Sequence, residues 1–328
     1  MRVHVVADPA GRFAQAVRRE AAPYAKLTIT IAKEADSADV ISDDVSVLVT
    51  GRPTEALLDG SPSLAWVVVP FAGIPRATAE VLAARPDIAL TNLHHNSSPT
   101  AEHALALLLA AARQIVPADR QLRVSDWSIR YDDNESVIIA GKRALILGVG
   151  AVGGRIARVL EALDVSVRGV VRKVEGHPKA ASVSLLPLEA LDDALPEADL
   201  LICTLPETRA TRGLIDARRL ARLPAGAILV NVGRGAVIDE KALYEALRDG
   251  PLAAAGIDVW YQYPEEKSER TATEPGSFPF ASLDNLVLSP HRAGHGVGIE
   301  ILRAQHLVAA LLEIEEETRG KIDLARGY

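Results

Sequence analysis

The stretch ALILGVGAVGGRIARVL, residues 144–160, decides the fold of this chain. Its first four residues form an apolar run typical of a buried strand, and apolar residues recur at helical spacing after the glycines. Between them, Gly148, Gly150 and Gly153 make the pattern G-x-G-x-x-G. The first glycine allows a sharp turn, the second lets a pyrophosphate approach the backbone, and the third lets the helix pack closely. The pattern predicts a dinucleotide site at the helix N-terminus; the alternative is a packing turn without a ligand.

Composition limits the classes of protein to consider. The chain has 328 residues, enough for about two domains, and its 48% hydrophobic residues are ordinary for a globular protein. A net charge of −7 argues against a dedicated nucleic-acid surface, which needs a basic patch. The lone Cys203 is typical of a reducing compartment, and the apolar run 104–112 is shorter than the ~20 residues that span a bilayer. We expect a cytoplasmic protein without nucleic-acid or membrane partners.

The first ninety-odd residues alternate short apolar runs with helical stretches. Strands are expected at 3–7, 27–31, 45–49, 64–69 and 88–90, and helices near 11–22, 53–60 and 75–84. This alternation predicts a parallel sheet covered by helices, and because no glycine motif follows the first strand, it is not the cofactor domain. Residues 92–99 predict a loop between domains, followed by a helix N-terminus at Thr100–His103 and an apolar helix to Ala112.

The chain after the glycine motif predicts a second doubly wound sheet. Strands are expected at 165–171, 199–203, 227–231, 253–257 and 285–288, and helices near 187–195, 216–222 and 239–249. Ligands bind outside the carboxyl ends of strands in such sheets, so residues directly after each strand are candidates for the site. We interpret Trp127 as a packing anchor rather than a ligand contact, and 262–282 as a long surface loop. A last helix near 298–319 carries leucines suited to packing against the first unit and ends in a solvated acidic run.

Five stretches together resemble the D-isomer-specific 2-hydroxyacid dehydrogenase family. They are the glycine motif and residues 205–215, 228–243, 256–260 and 288–291. The resemblance implies an α/β fold of two doubly wound parallel-sheet domains with an interdomain cleft, one a Rossmann cofactor domain and the other a flavodoxin-like substrate domain. It implies that residues 1–95 plus 295–328 form the substrate domain and 96–294 the dinucleotide-binding domain. It also implies a homodimer joined largely through the cofactor domain.

The resemblance carries a catalytic site onto this chain. Arg234 matches the arginine that grips the substrate carboxylate and carbonyl, which a planar guanidinium can do bidentately. His291 matches the histidine that exchanges a proton with the substrate oxygen, and a reference pKa of ~6.5 suits that role. The alternatives are a surface arginine in a glycine-flanked turn and a strand-end histidine satisfied by backbone. Asp258 matches a residue near the nicotinamide amide, and the backbone at Ala72 and Gly73 matches the loop that holds the substrate carboxylate. The cofactor-binding residues so implied are Gly148, Gly150, Ala151, Val152, Gly153, Leu205, Pro206, Val232 and Asp258.

Tyr263 departs from the family pattern. Family members usually carry a glutamate at this position, which pairs with the histidine and favours the imidazolium. A tyrosine can orient an imidazole but is not an anion at neutral pH. Three interpretations follow. Glu265 or Glu266 could replace the missing anion, or the enzyme could work with a less basic histidine and have its optimum at lower pH. In the third, the reaction needs little proton transfer, as in related formate dehydrogenases. We favour the second and count Tyr263 among the catalytic candidates.

The end of the second strand in the cofactor unit indicates which nucleotide binds. NAD-preferring domains place Asp or Glu about 20 residues after the glycines, for the ribose 2′-OH. Here Val171 stands at that position, followed by Arg172 and Lys173. Two cations can pair with a 2′-phosphate, so we count both as cofactor-binding and expect NADP rather than NAD; the alternative is a basic pair on the surface.

The remaining histidines carry weaker predictions. His94 and His95, with His103 downstream, match no standard zinc spacing, so no metal is expected. His95 lies on the predicted interdomain loop and is a candidate substrate contact, with hinge hydrogen bonding as the alternative. His295, four residues after His291, is a further candidate for the cleft.

Two functions of different class are consistent with the sequence. The first is an oxidoreductase that moves a hydride between NAD(P)H and a small 2-oxo acid or D-2-hydroxy acid, such as glyoxylate or hydroxypyruvate. The second is a nucleotide-sensing or corepressor-like protein that keeps the fold with little catalysis. Arg234 and His291 favour the enzyme, and Tyr263 is the feature that favours the sensor.

Overall fold

The computed structural model describes residues 1–131, 136–175, 177 and 183–324. Its strands are β1 (Arg2–Val6), β2 (Thr28–Ala32), β3 (Val47–Val49), β4 (Trp66–Val69), β5 (Ala89–Asn92), β6 (Arg143–Leu147), β7 (Ser166–Val171), β8 (Ser184–Pro187), β9 (Leu200–Cys203), β10 (Ala227–Asn231), β11 (Leu252–Ile257) and β12 (Leu286–Leu288). Its α-helices are α1 (Arg12–Ala21), α2 (Glu34–Val40), α3 (Glu55–Asp59), α4 (Arg76–Ala83), α5 (Ser97–Ala112), α6 (Ile115–Arg123), α7 (Gly153–Ala162), α8 (Leu191–Ala194), α9 (Ala217–Leu220), α10 (Glu240–Arg248) and α11 (Ile299–Glu315).

The contacts divide the chain into two units. The first comprises Met1–Asn96 and the chain from His295 onward, and the second comprises Ser97–Gly294. None of the helices described in either unit has the length and apolar character that crossing a membrane requires.

The first unit is a five-stranded parallel sheet in the order β2-β1-β3-β4-β5, which is the flavodoxin-like order. Both faces are covered. Val47 and Val49 pack on the side of α1 and α11, whereas Leu48 packs on the side of α3 and α4. Alternate residues therefore enter different cores, which explains why the strands are apolar throughout. The expected packing of the last helix against this unit is confirmed by the contacts between α1 and α11.

The second unit is a seven-stranded parallel sheet in the order β12-β11-β10-β9-β6-β7-β8. The strand order reverses between β6 and β9, and a doubly wound sheet binds its ligand outside the carboxyl ends of the strands at such a switch point. Ala144 and Ile146 face the core under α5 and α7, while Leu145 and Leu147 face the core under α10. The predicted fold class, two doubly wound parallel-sheet domains, is confirmed.

Among the elements that the sequence analysis did not predict are two short ones. Helix α2 has the sequence EADSADV, and Ser37 is its one buried residue, so it lacks an apolar stripe. Strand β8 lies at the sheet edge with partly exposed residues, so neither alternation nor a continuous apolar run marks it.

The predicted loop at 92–99 is present but shorter, at 93–96 where the two units divide, and the predicted helix start at Thr100 was wrong. Strand β5 extends to Asn92 and helix α5 begins at Ser97, so Thr100 lies inside the helix and is buried. Pro99 does not prevent this, because proline lacks an N–H and the first N–H groups of a helix have no intrahelical partner. The predicted helix end at Ala112 is confirmed.

Three other expectations changed in part. Trp127 is 59% exposed, so it does not anchor the packing of this chain. The segment 262–282 does lack strands and α-helices, but Phe280 within it is fully buried and fixes it to the core. Helix α11 ends at Glu315 rather than near 319, and the acidic residues that follow are exposed as expected.

Candidate active site

The glycine loop joins β6 to α7 at the switch point. Gly148 has φ +92°, a left-handed backbone conformation that favours glycine. A Cβ on Gly153 would lie 2.0 Å from the Gly148 carbonyl oxygen, so the helix approaches the strand more closely than any side chain allows. By contrast, no described heavy atom lies within 4 Å of the point that a Cβ on Gly150 would occupy. The backbone at Gly150 is thus open from the side.

Thr204, which the sequence analysis missed, closes the other side of the switch point. It follows β9 directly, and its hydroxyl donates to the carbonyl oxygens of Gly148 at 2.6 Å and Leu147 at 3.1 Å. Leu205 follows and would contact a Cβ on Gly148 at 3.0 Å. A hydroxyl residue directly after a buried strand, opposite a glycine turn, was the available signal.

The residues present fit a dinucleotide. The open backbone at Gly150 and the exposed Ala151 stand before the N-terminus of α7, where N–H groups and the helix dipole favour a phosphate. Arg172 and Lys173 follow β7, whose Val170 carbonyl accepts the Gly148 N–H at 2.9 Å, and both side chains are exposed. Among the other cofactor candidates, Val152 and Pro206 are half-buried, and Val232 is buried with its N–H donating to the Cys203 carbonyl.

A pocket of about 580 Å³ brings together three catalytic candidates, Arg234, Tyr263 and His291. The remaining lining residues are Glu207, Arg212, Gly235, Ala236, Trp260 and Tyr261. Glu207 and Arg212 form an ion pair and were not among the predicted site residues. Nothing in the sequence distinguished them from other charged residues of the loop after β9.

Asn231 shapes the turn that carries Arg234. It is the last residue of β10 and is 1% exposed. Its amide nitrogen donates to the Arg234 carbonyl at 3.1 Å, and its side-chain oxygen accepts the Gly233 N–H at 3.0 Å. The Arg234 guanidinium in turn donates to the Gly233 carbonyl at 2.6 Å. A buried amide with both ends bonded fixes the turn, and the sequence showed this only as an asparagine two residues before Gly-Arg-Gly.

Asp258 lies beneath the loop that carries His291. His291 has φ +54°, which is uncommon for a non-glycine residue. The fully buried Asp258 carboxylate accepts the Ser289 hydroxyl at 2.5 Å, the Arg292 N–H at 2.8 Å and the Ala293 N–H at 2.9 Å. A buried carboxylate needs such donors. Asp258, which was expected near the nicotinamide amide, receives them from the loop that carries His291.

Tyr263 lies beside His291. Their ring centroids are 5.5 Å apart, and the Tyr263 hydroxyl accepts the Trp260 N–H at 2.9 Å. Burial raises the pKa of Tyr263, although the Trp260 N–H acts in the opposite direction, so the phenol is neutral near pH 7. The carboxylate that lines the pocket belongs to Glu207, whereas Glu266 caps the turn Lys267–Thr271. The suggestion that Glu265 or Glu266 replaces the family's glutamate is therefore not supported.

The first unit contains the candidate substrate residues. Ala72 and Gly73 lie on the half-buried loop after β4, and the Asn92 amide donates to the Ala72 carbonyl at 2.5 Å. His95 is 4% exposed, its Nε2 lies 3.5 Å from Nε of Arg303, and its Nδ1 has no partner among the described residues. Burial, and then the Arg303 charge, lower the pKa of His95 to about 4, so its ring is neutral at pH 7.

The other histidines named in the sequence analysis do not form a metal site in the part of the chain that the structure describes. Across the described residues, no cluster of three or more His, Cys, Asp or Glu side chains is arranged to hold a metal ion. His295 is exposed. His103, by contrast, contacts Ser289 beneath the His291 loop, with its Nε2 2.8 Å from the serine hydroxyl.

Comparison with known proteins gives consistent relatives. Residues 105–293 match the family model described as D-isomer specific 2-hydroxyacid dehydrogenase, NAD binding domain. A glyoxylate reductase from Aeropyrum pernix is 33% identical over 301 residues, which cover 88% of this chain and 83% of the relative. A D-3-phosphoglycerate dehydrogenase from Mycobacterium leprae is 35% identical over 236 residues, and this match spans 72% of the chain but 42% of that relative.

A solved structure extends the likeness to the whole chain. The crystal structure of a D-isomer specific 2-hydroxyacid dehydrogenase from Xanthobacter autotrophicus Py2, in complex with NADPH and MES, superposes with a TM-score of 0.77. It is 29% identical and covers 99% of both chains. The glycine loop, the strand-end pocket and these matches agree, and the chain belongs to the D-isomer-specific 2-hydroxyacid dehydrogenase family.

Proposed function

We propose that this protein is an NAD(P)-dependent D-2-hydroxyacid dehydrogenase that reduces a small 2-oxo acid such as glyoxylate or hydroxypyruvate. The observation that carries the proposal is that Arg234 and His291 line one pocket, on loops that follow β10 and β12 in the same sheet. A guanidinium that can bind a carboxylate and an imidazole that can deliver a proton are the two groups that this reduction requires of the protein.

Each group has a distinct task in the proposed reaction. Arg234 binds the carboxylate and carbonyl oxygens of the 2-oxo acid, which orients the carbonyl carbon and polarises its bond. His291 donates a proton from its ring to the carbonyl oxygen as that oxygen becomes an alcohol. The nicotinamide cofactor supplies the hydride when bound. Gly148, Gly150, Ala151, Val152 and Gly153 would hold its pyrophosphate, with Leu205, Pro206 and Val232 beside them.

Tyr263 is the proposed influence on how readily His291 holds its proton, because the two rings lie side by side. A neutral phenol stabilises an imidazolium less than a carboxylate does, because it carries no charge. We therefore include a pH optimum on the acidic side of neutrality in the proposal. The neutral state is supported by the raised pKa of Tyr263, since burial outweighs the opposing effect of the Trp260 N–H that its hydroxyl accepts.

Substrate binding in the first unit is assigned to the backbone at Ala72 and Gly73 and to His95. The bond from Asn92 to the Ala72 carbonyl supports a loop held in one conformation. His95 Nδ1 has no partner among the residues that the structure describes, and the ring is neutral at pH 7, which supports a hydrogen bond from this ring to the substrate.

NADPH is the proposed cofactor. Arg172 and Lys173 follow the strand next to the glycine loop, and that position contains no carboxylate to repel a 2′-phosphate. The Xanthobacter relative, crystallised with NADPH, is consistent with this choice.

The proposal includes a homodimer joined through the second unit. Several large apolar side chains are exposed between α5 and β6: Ile115 at 55%, Leu122 at 50%, Val124 at 76%, Trp127 at 59% and Tyr131 at 78%. Exposed apolar patches on proteins often mark interfaces, and a dimer interface on this segment would cover these side chains. Light scattering on the purified protein measures the mass directly, and we expect twice 34.9 kDa.

The proposed location is the cytoplasm, in keeping with the lone buried thiol of Cys203.

A turnover assay tests the proposal. The purified protein is mixed with NADPH, and separately with NADH, against a panel of 2-oxo acids at several pH values, and the absorbance of the reduced nicotinamide is followed. Loss of absorbance with glyoxylate or hydroxypyruvate supports the reductase. Tight nucleotide binding without turnover on any acid would contradict it and favour the sensor.

A further inference from the structure

A buried chain of hydrogen bonds links helix α5 to the His291 loop. His103 Nε2 lies 2.8 Å from the Ser289 hydroxyl and 3.4 Å from the nearer Asp258 carboxylate oxygen. The Ser289 hydroxyl lies 2.5 Å from that same oxygen. Ser289 is 7% exposed and Asp258 is fully buried. The His103 side chain, where this series of hydrogen bonds begins, is 30% exposed.

The direction of these hydrogen bonds follows from the groups involved. An ionised carboxylate can only accept, so the Ser289 hydroxyl donates its hydrogen to Asp258. The serine oxygen then has lone pairs to offer, and His103 must donate to it from Nε2–H. His103 therefore supplies the first donor in a series of hydrogen bonds that ends on the buried carboxylate of Asp258.

Helix packing fixes His103 in this place. Leu107, one helical turn along α5, sits so close to β11 that a Cβ on Gly256 would lie 2.7 Å from the leucine Cβ. Four residues along a helix and two along a strand each cover about 6 Å. Since Asp258 follows Gly256 by two residues and His103 precedes Leu107 by four, the helix and strand bring the two side chains to the same level. Gly256 thus permits the close approach of helix and strand on which the hydrogen bonds from His103 through Ser289 to Asp258 depend. We call this series of hydrogen bonds the relay.

The relay ends on the backbone that carries the catalytic candidate. Asp258 accepts the N–H groups of Arg292 and Ala293, the two residues after the left-handed His291. Its own N–H donates to the Asn231 carbonyl at 3.0 Å, so it also joins the element that carries Arg234. A left-handed non-glycine residue persists only when its surroundings hold it.

We propose that His103 is a positioning residue for His291, acting through Ser289 and Asp258. This inference rests on the proposed function, since it names a further residue for that same reaction. Without the His103 donor, the Ser289 hydroxyl is free to turn from Asp258, and the carboxylate holds the loop less firmly. The His291 ring then spends less time where it can reach the substrate oxygen.

The test compares three variants of the full-length protein. His103→Phe keeps the ring shape but lacks the donor, and His103→Gln restores an N–H close to the Nε2 position. Glu102→Gln, on the exposed side of the same helix, is the matched control. For each protein we would measure kcat with glyoxylate and NADPH, the Kd of NADPH, and hydrogen–deuterium exchange of the peptide 289–294.

The expected result is selective. His103→Phe lowers kcat by about tenfold, the scale set by one lost hydrogen bond in a charged network, with the Kd of NADPH unchanged and faster exchange in 289–294. His103→Gln recovers most of both losses, and Glu102→Gln behaves as the wild type. The inference is overturned if His103→Phe keeps kcat within about twofold of wild type, if it loses NADPH binding together with kcat, or if glutamine rescues nothing.

Failure of the proposed function gives a different result. A wild-type protein that turns over no 2-oxo acid refutes the function, and exchange then decides the relay alone. Faster exchange in His103→Phe that glutamine reverses supports the relay, and unchanged exchange overturns it.

Discussion

The ring of Tyr263 lies 5.5 Å from the ring of His291, and its hydroxyl accepts the Trp260 N–H at 2.9 Å. Burial raises the pKa of this phenol, so it gives His291 an aromatic neighbour rather than an anion. The pocket does contain a carboxylate, that of Glu207, but Arg212 pairs with it. The basicity of His291 should therefore respond to a change at Tyr263 in a predictable direction.

Tyr263→Phe should retain turnover. The substitution removes one hydrogen bond to the Trp260 backbone and leaves the ring beside His291, so kcat should fall by less than about tenfold. Steady-state kinetics with glyoxylate measure this, with NADPH affinity as the control. Complete loss of turnover with intact NADPH binding would mean that the hydroxyl itself takes part in the reaction.

Tyr263→Glu should shift the pH profile of reduction upward. Reduction needs His291 protonated, so activity is lost as pH rises through the pKa of that histidine. A carboxylate beside the ring favours the imidazolium and should raise the midpoint of this high-pH limb by about one unit. The measurement is kcat/KM for glyoxylate between pH 5 and pH 9, with Tyr263→Gln as the uncharged control. If the pH profiles of Tyr263→Glu and Tyr263→Gln both match that of the wild type, position 263 does not act on the group that titrates.

Replacing Arg172 and Lys173 together by alanine should weaken the preference for NADPH. Two cations near a 2′-phosphate form charge-assisted bonds that NADH cannot make. We expect the ratio of kcat/KM for NADPH over NADH to fall on the order of tenfold, with the NADH value little changed. Arg168→Ala, earlier on the same strand, is the control. Equal ratios in the wild type and the double variant would place the discrimination elsewhere.

His95→Gln should make the first unit less sensitive to acid. The folded-state pKa of His95 is about 4, below its ordinary 6.5, so the unfolded chain binds more protons between these values. Stability contributed by the neutral ring is therefore complete above pH 6.5 and is lost as pH falls toward 4. A difference of about 2.5 pKa units is worth about 3 kcal/mol, so the wild-type Tm should drop by roughly 6–12 °C more than that of the variant across this window. The exposed His295→Gln should follow the wild type; parallel drops in all three proteins would show that His95 does not titrate as described.

The sequence predicted most of the fold because its strongest signals were local. Runs such as residues 144–147 are apolar on both strand faces, which a doubly covered parallel sheet requires. The elements that were missed had no such signal. Helix α2 buries little, β8 is an edge strand, and the start of α5 was hidden by the serines and proline at 97–99, which are also typical of loops.

The site was predictable where a residue type carries its own chemistry and less so where geometry decides. Arg234, Tyr263 and His291 were named in advance, and the structure brings them to one pocket. Thr204 and His103 were not named for the site, because their contacts join residues 56 and 186 positions apart. Asn231 was missed although its contacts are local, because an asparagine near glycines is common in turns of every kind. The exposure of Trp127 was also unpredictable, since a single large apolar residue outside a regular apolar pattern does not show whether its side chain is buried.

The most direct test of the central claim is glyoxylate reduction with NADPH by the wild type, His291→Asn and Arg234→Lys, measured at the wild-type optimum. We expect His291→Asn to lose about 100-fold or more in kcat while still binding NADPH, because asparagine keeps a hydrogen bond but cannot deliver a proton. Arg234→Lys should chiefly raise the KM for glyoxylate, because lysine cannot bind the carboxylate bidentately. A wild type that reduces glyoxylate and a His291→Asn variant that does so equally well would contradict the assignment of the proton to His291.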